Sequence, residues 1–305
     1  VYSLSTMDDF ITLGDRKRGR ESMKIKRIKD QYVRQIQVVL IIYLVCCILR
    51  VVEYMILRTD QTFWGESFVH KLLGLVILVP TLRFYGLNSK QIGFGTKGLF
   101  SYASLGLVWG SLFFALAYLM EITLLLIQGN LLGLDFYVSA YSVSGNIGQQ
   151  RGFLFLLICL AGNLINVLME EGIFRGLFQK VFERKYSFLK AALLSNLLFG
   201  FWHIMGPFRS FLDGEMSLTG FWINSLILIL TSFLIGFQFA LMTKMTGSLY
   251  MGMAVHFVNN TVVNLLHVLS KGGVDQLLSL RITVAQTLSF LVLLIYYQIR
   301  KRSRH

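Results

Sequence analysis

Apolar runs of about twenty residues recur along this chain, and a run of that length is what an α-helix needs to cross the hydrocarbon of a bilayer. They lie near 37–57, 68–85, 100–127, 152–172, 189–206, 220–242, 247–268 and 282–299. The second is the weakest, with His70, Lys71, Pro80 and Arg83 crowding its ends. The pattern predicts an all-α, polytopic membrane helix bundle of about eight transmembrane helices. Composition agrees: 55% of the residues are hydrophobic and 15% charged, fewer charges than a soluble domain carries. The first apolar run is not followed by a small-residue cleavage site, which predicts a retained helix rather than a signal peptide.

The formal net charge of +13 raises nucleic acid as a partner, but the basic residues sit in short runs between the apolar stretches. That placement suits connections beside anionic headgroups and argues against nucleic acid. With eight spans, the N-terminal cluster from Arg16 to Arg34 falls on one side. The same side takes Arg83, Lys90 and Lys97, then Lys180, Arg184, Lys185 and Lys190, then Lys244, and finally Arg300, Lys301, Arg302 and Arg304. The opposite side receives few basic residues. Positive charge is retained on the cytoplasmic side, so both termini are expected there. The expected organisation is a basic cytoplasmic segment at 1–36, a transmembrane domain at 37–299 and a basic cytoplasmic tail at 300–305. Multi-pass insertion in a cell membrane follows, with the lipid bilayer as a constant partner. Residues 86–98 read as a cytoplasmic connection, and 128–150, rich in Gly, Ser and Asn, as an external loop. Cys46, Cys47 and Cys159 lie in apolar runs without CxxC spacing, so neither a disulfide framework nor a zinc framework is expected.

Ionisable side chains inside a membrane helix cost a few kcal/mol each and usually face the protein interior. Three groups stand out. In Glu170-Glu171-Gly172-Ile173-Phe174-Arg175, Glu171 and Arg175 are four apart and share a helix face, so they can pair. Glu170 points about 100° away and lacks that partner, with Asn166 and Asn163 on its own face. It reads either as a general base among amides or as a solvated residue at a helix end. In Phe199-Gly200-Phe201-Trp202-His203, Phe199 and His203 share a face; a lone His among aromatics is an interfacial group or a catalyst. In His256-Phe257-Val258-Asn259-Asn260, His256 and Asn260 share a face, suited to an oxyanion or to hydrogen bonds between helices.

These three groups in order, Glu-Glu-x-x-x-Arg, Phe-x-x-x-His and His-x-x-x-Asn, resemble the CAAX protease and bacteriocin-processing enzyme family, which includes the type II CAAX prenyl endopeptidases. The resemblance covers roughly 150–265, with the protease-like core at about 150–268. It implies an intramembrane endopeptidase acting on a membrane-associated, prenylated or secreted peptide. By the same resemblance Glu170 activates a water, Glu171 and Arg175 support the site, His203 assists the water, and His256 and Asn260 stabilise the oxyanion. It implies no cofactor; His and carboxylate side chains also suit zinc, but there is no HExxH. The alternatives are a non-enzymatic bacteriocin-immunity or partner-binding membrane protein, and a transporter with Glu170 as proton carrier. Against the transporter, the sequence has no inverted repeat and no pair of broken helices.

The spacing leaves one conflict. In simple crossings Glu170 lies near the cytoplasmic end of its helix and His203 lies late in a helix running the other way. At about 1.5 Å per residue the two are separated by more than ~10 Å in depth. They meet only if one of the two helices is shifted.

Overall fold

The computed structural model describes residues 31–139, 149–271, 273 and 275–303; most of the basic N-terminal segment and the last two residues of the tail lie outside them. Two units divide the chain, Val1–Tyr43 and Leu44–His305. The described part of the first is wholly helical, and the site lies within the second.

Helix α1 covers 31–52 and is followed by one π-helical turn, Glu53–Leu57. Then come α2 (Val69–Phe84), α3 (Leu99–Ile127), β1 (Leu131–Phe136), α4 (Phe153–Glu170), a π-helical segment (Glu171–Phe178) and α5 (Gln179–Glu183). The chain continues through α6 (Phe188–Trp202), α7 (Met205–Leu212), α8 (Leu218–Thr246), α9 (Tyr250–Leu265), β2 (Leu266–Ser270) and α10 (Leu278–Arg302). This is the polytopic helix bundle that the apolar runs predict.

The number of full-length crossings differs from the expected eight. Among the described residues, six helical stretches are long and apolar enough to span a membrane: Gln31–Gln61, Leu99–Ile127, Phe153–Glu183, Phe188–Leu212, Leu218–Thr246 and Leu278–Arg302. The runs at 68–85 and 247–268 form α2 and α9, of 16 residues each. At about 1.5 Å per residue such a helix is ~24 Å long, short of a ~30 Å hydrocarbon layer. Each is cut short by polar structure. Helix α2 begins where the Glu53 carboxylate accepts the backbone N–H groups of Val69 (2.9 Å) and His70 (2.6 Å), an acid capping a helix N-terminus. Helix α9 ends where β2 turns to pair with β1, antiparallel, with Phe136 opposite Leu266 and Leu131 opposite Ser270. The stretch expected as an irregular external loop thus contains a strand, held by a partner 130 residues away that local pattern does not reveal.

Helix α9 is held close to α3. Gly106 and Gly110 are one helical turn apart on α3, and a Cβ on either would press into α9, 2.7 Å from the Ala254 Cβ and 3.0 Å from the Val258 Cβ. Without hydrophobic drive between helices in lipid, small residues let backbones approach and gain dispersion contacts.

The depth conflict is resolved by the length of the third full-length crossing, Phe153–Glu183. Glu170 does not end its helix; the π-helical segment and α5 carry it on, giving 31 residues from Phe153 to Glu183. Helix α6 then starts at Phe188 and returns alongside, with Ser195 Oγ donating to the Phe174 carbonyl at 2.5 Å. Glu170 and Trp202 are nearly equidistant from the turn between them, so they meet at one depth.

Two ion networks lie away from the site. Arg281 donates to Glu121 (2.6 Å) and Asp275 (2.5 Å), and Tyr118 lies 4.4 Å under its guanidinium. Arg209 donates to Asp60 (2.8 Å) and Asp213 (3.3 Å), while Arg58 closes on Asp213 at 2.6 Å. The hydrogen bond from Arg58 holds the Asp213 carboxyl below its usual range. For Asp275 burial works upward, and the bonds from His267 and Arg281 outweigh it, so it too is lowered. A carboxyl lowered on folding adds stability above its unfolded pKa of about 4, and that stability is lost as pH falls through the folded value. Thermal melts of the protein in detergent should therefore be flat for this contribution from pH 7 to 5 and fall below about pH 4. In Asp213→Asn the acid-side fall should shrink; an unchanged slope would refute the assignment.

Candidate active site

Helices α4, α6, α8 and α9 bring a polar cluster together around Glu170 and Glu171. The π-helical backbone begins at Glu171, and such a widened turn re-aims the side chains that follow. Glu171 Oε1 accepts from Arg175 Nη1 at 3.2 Å and lies 3.0 Å from His256 Nδ1, so one carboxylate oxygen ties two helices. With Nδ1–H donating to Glu171, the other ring nitrogen of His256 is turned to Glu170, where Nε2 lies 3.7 Å from Oε2. That distance is too long for a direct hydrogen bond. The imidazole is held by aromatic rings: Phe239 lies nearly parallel at 5.2 Å and Phe199 edge-on at 6.4 Å.

Glu170 is buried, and its Oε1 accepts the indole N–H of Trp202 at 2.9 Å. Its carboxylate also feels the charges of Arg50 and Lys71, and the rings of His203 and His256 face it. His203 Nδ1 sits 2.8 Å from the Phe199 carbonyl, which can only accept, so Nδ1 carries the proton and Nε2 keeps a lone pair. The ring stands edge-on to Phe199 at 4.7 Å.

Arg175 is fully buried. Its guanidinium lies 3.8 Å over the Phe199 ring, and its Nε donates to the Gly236 carbonyl at 3.4 Å. A charge in this position is sustained by its carboxylate partner and by the ring face. Gly236 makes the seat possible, because a Cβ there would overlap both the Arg175 Nη2 and the Asn196 Oδ1.

Of the six residues singled out in the sequence, Glu170, Glu171, Arg175 and His256 are linked by short contacts. His203 joins them through its electrostatic interaction with Glu170 and His256. Asn260 lies one turn beyond His256 on α9, and its Oδ1 accepts from Asn259 Nδ2 at 3.0 Å, which leaves its own Nδ2 as a donor. Asn163, expected on the face of Glu170, instead bonds Cys159 Sγ (3.5 Å) and Thr261 Oγ1 (3.4 Å).

Sequence reasoning passed over Trp202, Gly236, Arg50 and Glu53. The signal for Trp202 was its place beside His203. For Arg50 and Glu53 it was the presence of charge within the first apolar run. Gly236 left no signal, since only the packed neighbour explains it.

The imidazole of His256 points each nitrogen at a carboxylate, and among the described residues no three His, Cys, Asp or Glu side chains converge on one point.

Trp202→Phe keeps the ring and removes only the donor to Glu170. A hydrogen bond to a charged group is worth about 1.5–3 kcal/mol, so if Glu170 reacts, turnover should fall roughly 10- to 100-fold with folding retained. Unchanged turnover would show that the indole does not hold the reacting carboxylate.

Residues 152–262 match the family model for type II CAAX prenyl endopeptidase Rce1-like proteins. This segment is Rce1-like. The Rce1-like segment runs from the start of α4 into α9 and contains all six candidate residues; Arg50, Glu53, His70 and Lys71 precede it. The family is one of proteases, and with six apolar helices the chain reads as a multi-pass membrane protein whose match supports peptide hydrolysis. No curated protein matches the chain.

Proposed function

We propose that this protein is an intramembrane endopeptidase that hydrolyses a peptide bond with a water activated by Glu170, without a metal ion. The observation that carries the reading is the convergence of Glu170, Glu171, Trp202 and His256 from three separate helices into one buried cluster. A carboxylate and an imidazole 3.7 Å apart leave no direct bond, but a water beside them reaches both.

In this reading Glu170 Oε2 takes a proton from that water as its oxygen attacks the carbonyl carbon. His203 Nε2 accepts the water's second hydrogen bond and aims the lone pair. Negative charge then collects on the former carbonyl oxygen, where Asn260 Nδ2 donates, with His256 as the second donor when it carries a proton on Nε2. The Glu171 carboxylate accepts from His256 Nδ1 and fixes the ring, and Arg175 holds Glu171. Collapse of the tetrahedral intermediate breaks the C–N bond, and Glu170 returns its proton to the leaving amine. Acid and amine products balance the water consumed.

The substrate is proposed as a membrane-associated peptide of prenylated CAAX type or a secreted peptide. The test is cleavage of a farnesylated CAAX-type peptide by purified protein in lipid nanodiscs, with Glu170→Gln and His203→Ala beside it. Cleavage by wild type alone supports the reading. If both variants cleave as wild type does, the mechanism fails, and protection of cells by Glu170→Gln points to a binding role such as immunity.

A further inference from the structure

The proposed oxyanion donor, Asn260, carries an acceptor at the other end of the same amide, and the two ends have nearly the same shape. Turned end for end, the side chain would set Oδ1 where negative charge collects, and the site would repel what it has to stabilise. Which end faces the site depends on what holds the other.

Asn260 Oδ1 accepts from Asn259 Nδ2 at 3.0 Å, and Asn259 Oδ1 accepts in turn from Gln286 Nε2 at 2.8 Å. Three amides thus run head to tail from α10 into α9, each giving its N–H to the next oxygen, so the donor left over is Asn260 Nδ2. Gln286 and Asn259 are buried, away from water that could replace either bond. Gln286 is itself held in place. Its neighbour Ala285 packs in one apolar cluster with Val258 and Val263 of α9. One turn further on, Ser289 Oγ accepts from Trp109 Nε1 of α3 at 2.7 Å and from Gln238 Nε2 of α8 at 2.6 Å.

Amides also tie membrane helices together without any chemistry. A tie between α10 and α9 is complete at Asn259. Here a second bond carries the polarity one residue on, to the face of α9 that bears His256. Gln286 also leaves its own Oε1 buried without a partner among the described residues, a cost that an apolar contact would avoid.

We infer that Gln286 is a positioning residue for hydrolysis: through Asn259 it holds the Asn260 amide with its N–H group toward the oxyanion. This rests on the peptidase reading above and deepens it. Gln286 lies outside the Rce1-like segment 152–262 and acts only through Asn259.

The test is a double-mutant cycle. Single-turnover cleavage of the farnesylated CAAX-type peptide is measured for wild type, Gln286→Met, Asn260→Ala and the double variant in nanodiscs. Methionine keeps the length of glutamine and removes the donor. Outright loss of an oxyanion donor costs about 100- to 1,000-fold, the fall expected of Asn260→Ala. Loss of its aim costs a part of that, so Gln286→Met should slow cleavage about 10-fold with peptide affinity unchanged. On the Asn260→Ala background the same change should cost nothing further, because no amide remains to be aimed. A merely structural role would slow both backgrounds alike, and that result overturns the inference, as does wild-type turnover in Gln286→Met. Asn259→Ala interrupts the chain at its middle and should show the same pattern, so the outcome does not hang on one variant folding. A second readout needs no cleavage. The side-chain amide NMR signals of Asn260, identified by their loss in Asn260→Ala, should shift in Gln286→Met and in Asn259→Ala; unmoved signals overturn the positioning. If wild type leaves the peptide uncut while those signals shift, the peptidase reading falls and the amide chain stands.

Discussion

Glu170→Gln leaves a folded protein whose cleavage rate falls by about 100- to 10,000-fold, the span that a positioned general base contributes. Glutamine has the size and shape of glutamate, and its carbonyl oxygen still accepts the Trp202 N–H now held at 2.9 Å. The neighbours therefore keep their places, and what disappears is basicity at the atom 3.7 Å from His256. Loss of a buried negative charge should not cost stability here, because neither Arg50 nor Lys71 relies on Glu170 as a direct ion-pair partner. The checks are single-turnover cleavage of the farnesylated peptide and the melting temperature of each protein. Glu171→Gln behaves differently: Arg175, fully buried, loses its charged partner, so stability and activity fall together. A result in which Glu170→Gln melts early and Glu171→Gln does not would invert the assignment of base and support.

Gly236→Ala has the second large effect, and it arises from one carbon atom. The added Cβ would occupy the space of the Arg175 guanidinium and the Asn196 amide oxygen, both fully buried. Arg175 cannot swing away without leaving Glu171, and Glu171 without Arg175 no longer fixes the His256 ring. Overpacking typically costs about 1–3 kcal/mol and a broken buried ion pair about 3–5 kcal/mol, so the variant should lose roughly 3–5 kcal/mol and most of its activity. Gly95→Ala is the control. There a Cβ would find only Lys90 at ordinary contact distance, 3.8 Å, so stability and activity should match wild type. Equal melting of the two variants would show that Arg175 is not seated as described.

Much of the site was legible because burying an ionisable group in lipid is costly enough to mark it in a sequence. Glu171 and Arg175, four residues apart, pair at 3.2 Å as their spacing predicts, although the backbone between them is π-helical. His203 and Phe199 share a face as read, with the ring edge-on at 4.7 Å. The same rule applied to the first apolar run would have drawn in Arg50 and Glu53. They were passed over because no motif accompanies them. Asn163 shows the limit of face counting: it was read on the face of Glu170, yet its hydrogen-bond partners are Cys159 and Thr261.

By itself the sequence determined the helical membrane architecture, since twenty apolar residues in lipid have few ways to satisfy their backbone except as helices. It also determined which polar residues need an interior environment. Only the tertiary structure decided that α2 and α9 stop short, that the crossing begun at Phe153 runs on to Glu183, and that Trp202 rather than a nearby amide meets Glu170. Those outcomes depend on contacts between residues far apart in the chain. A capping carboxylate, a paired strand and a missing Cβ at Gly236 act through space, and local periodicity carries no record of them.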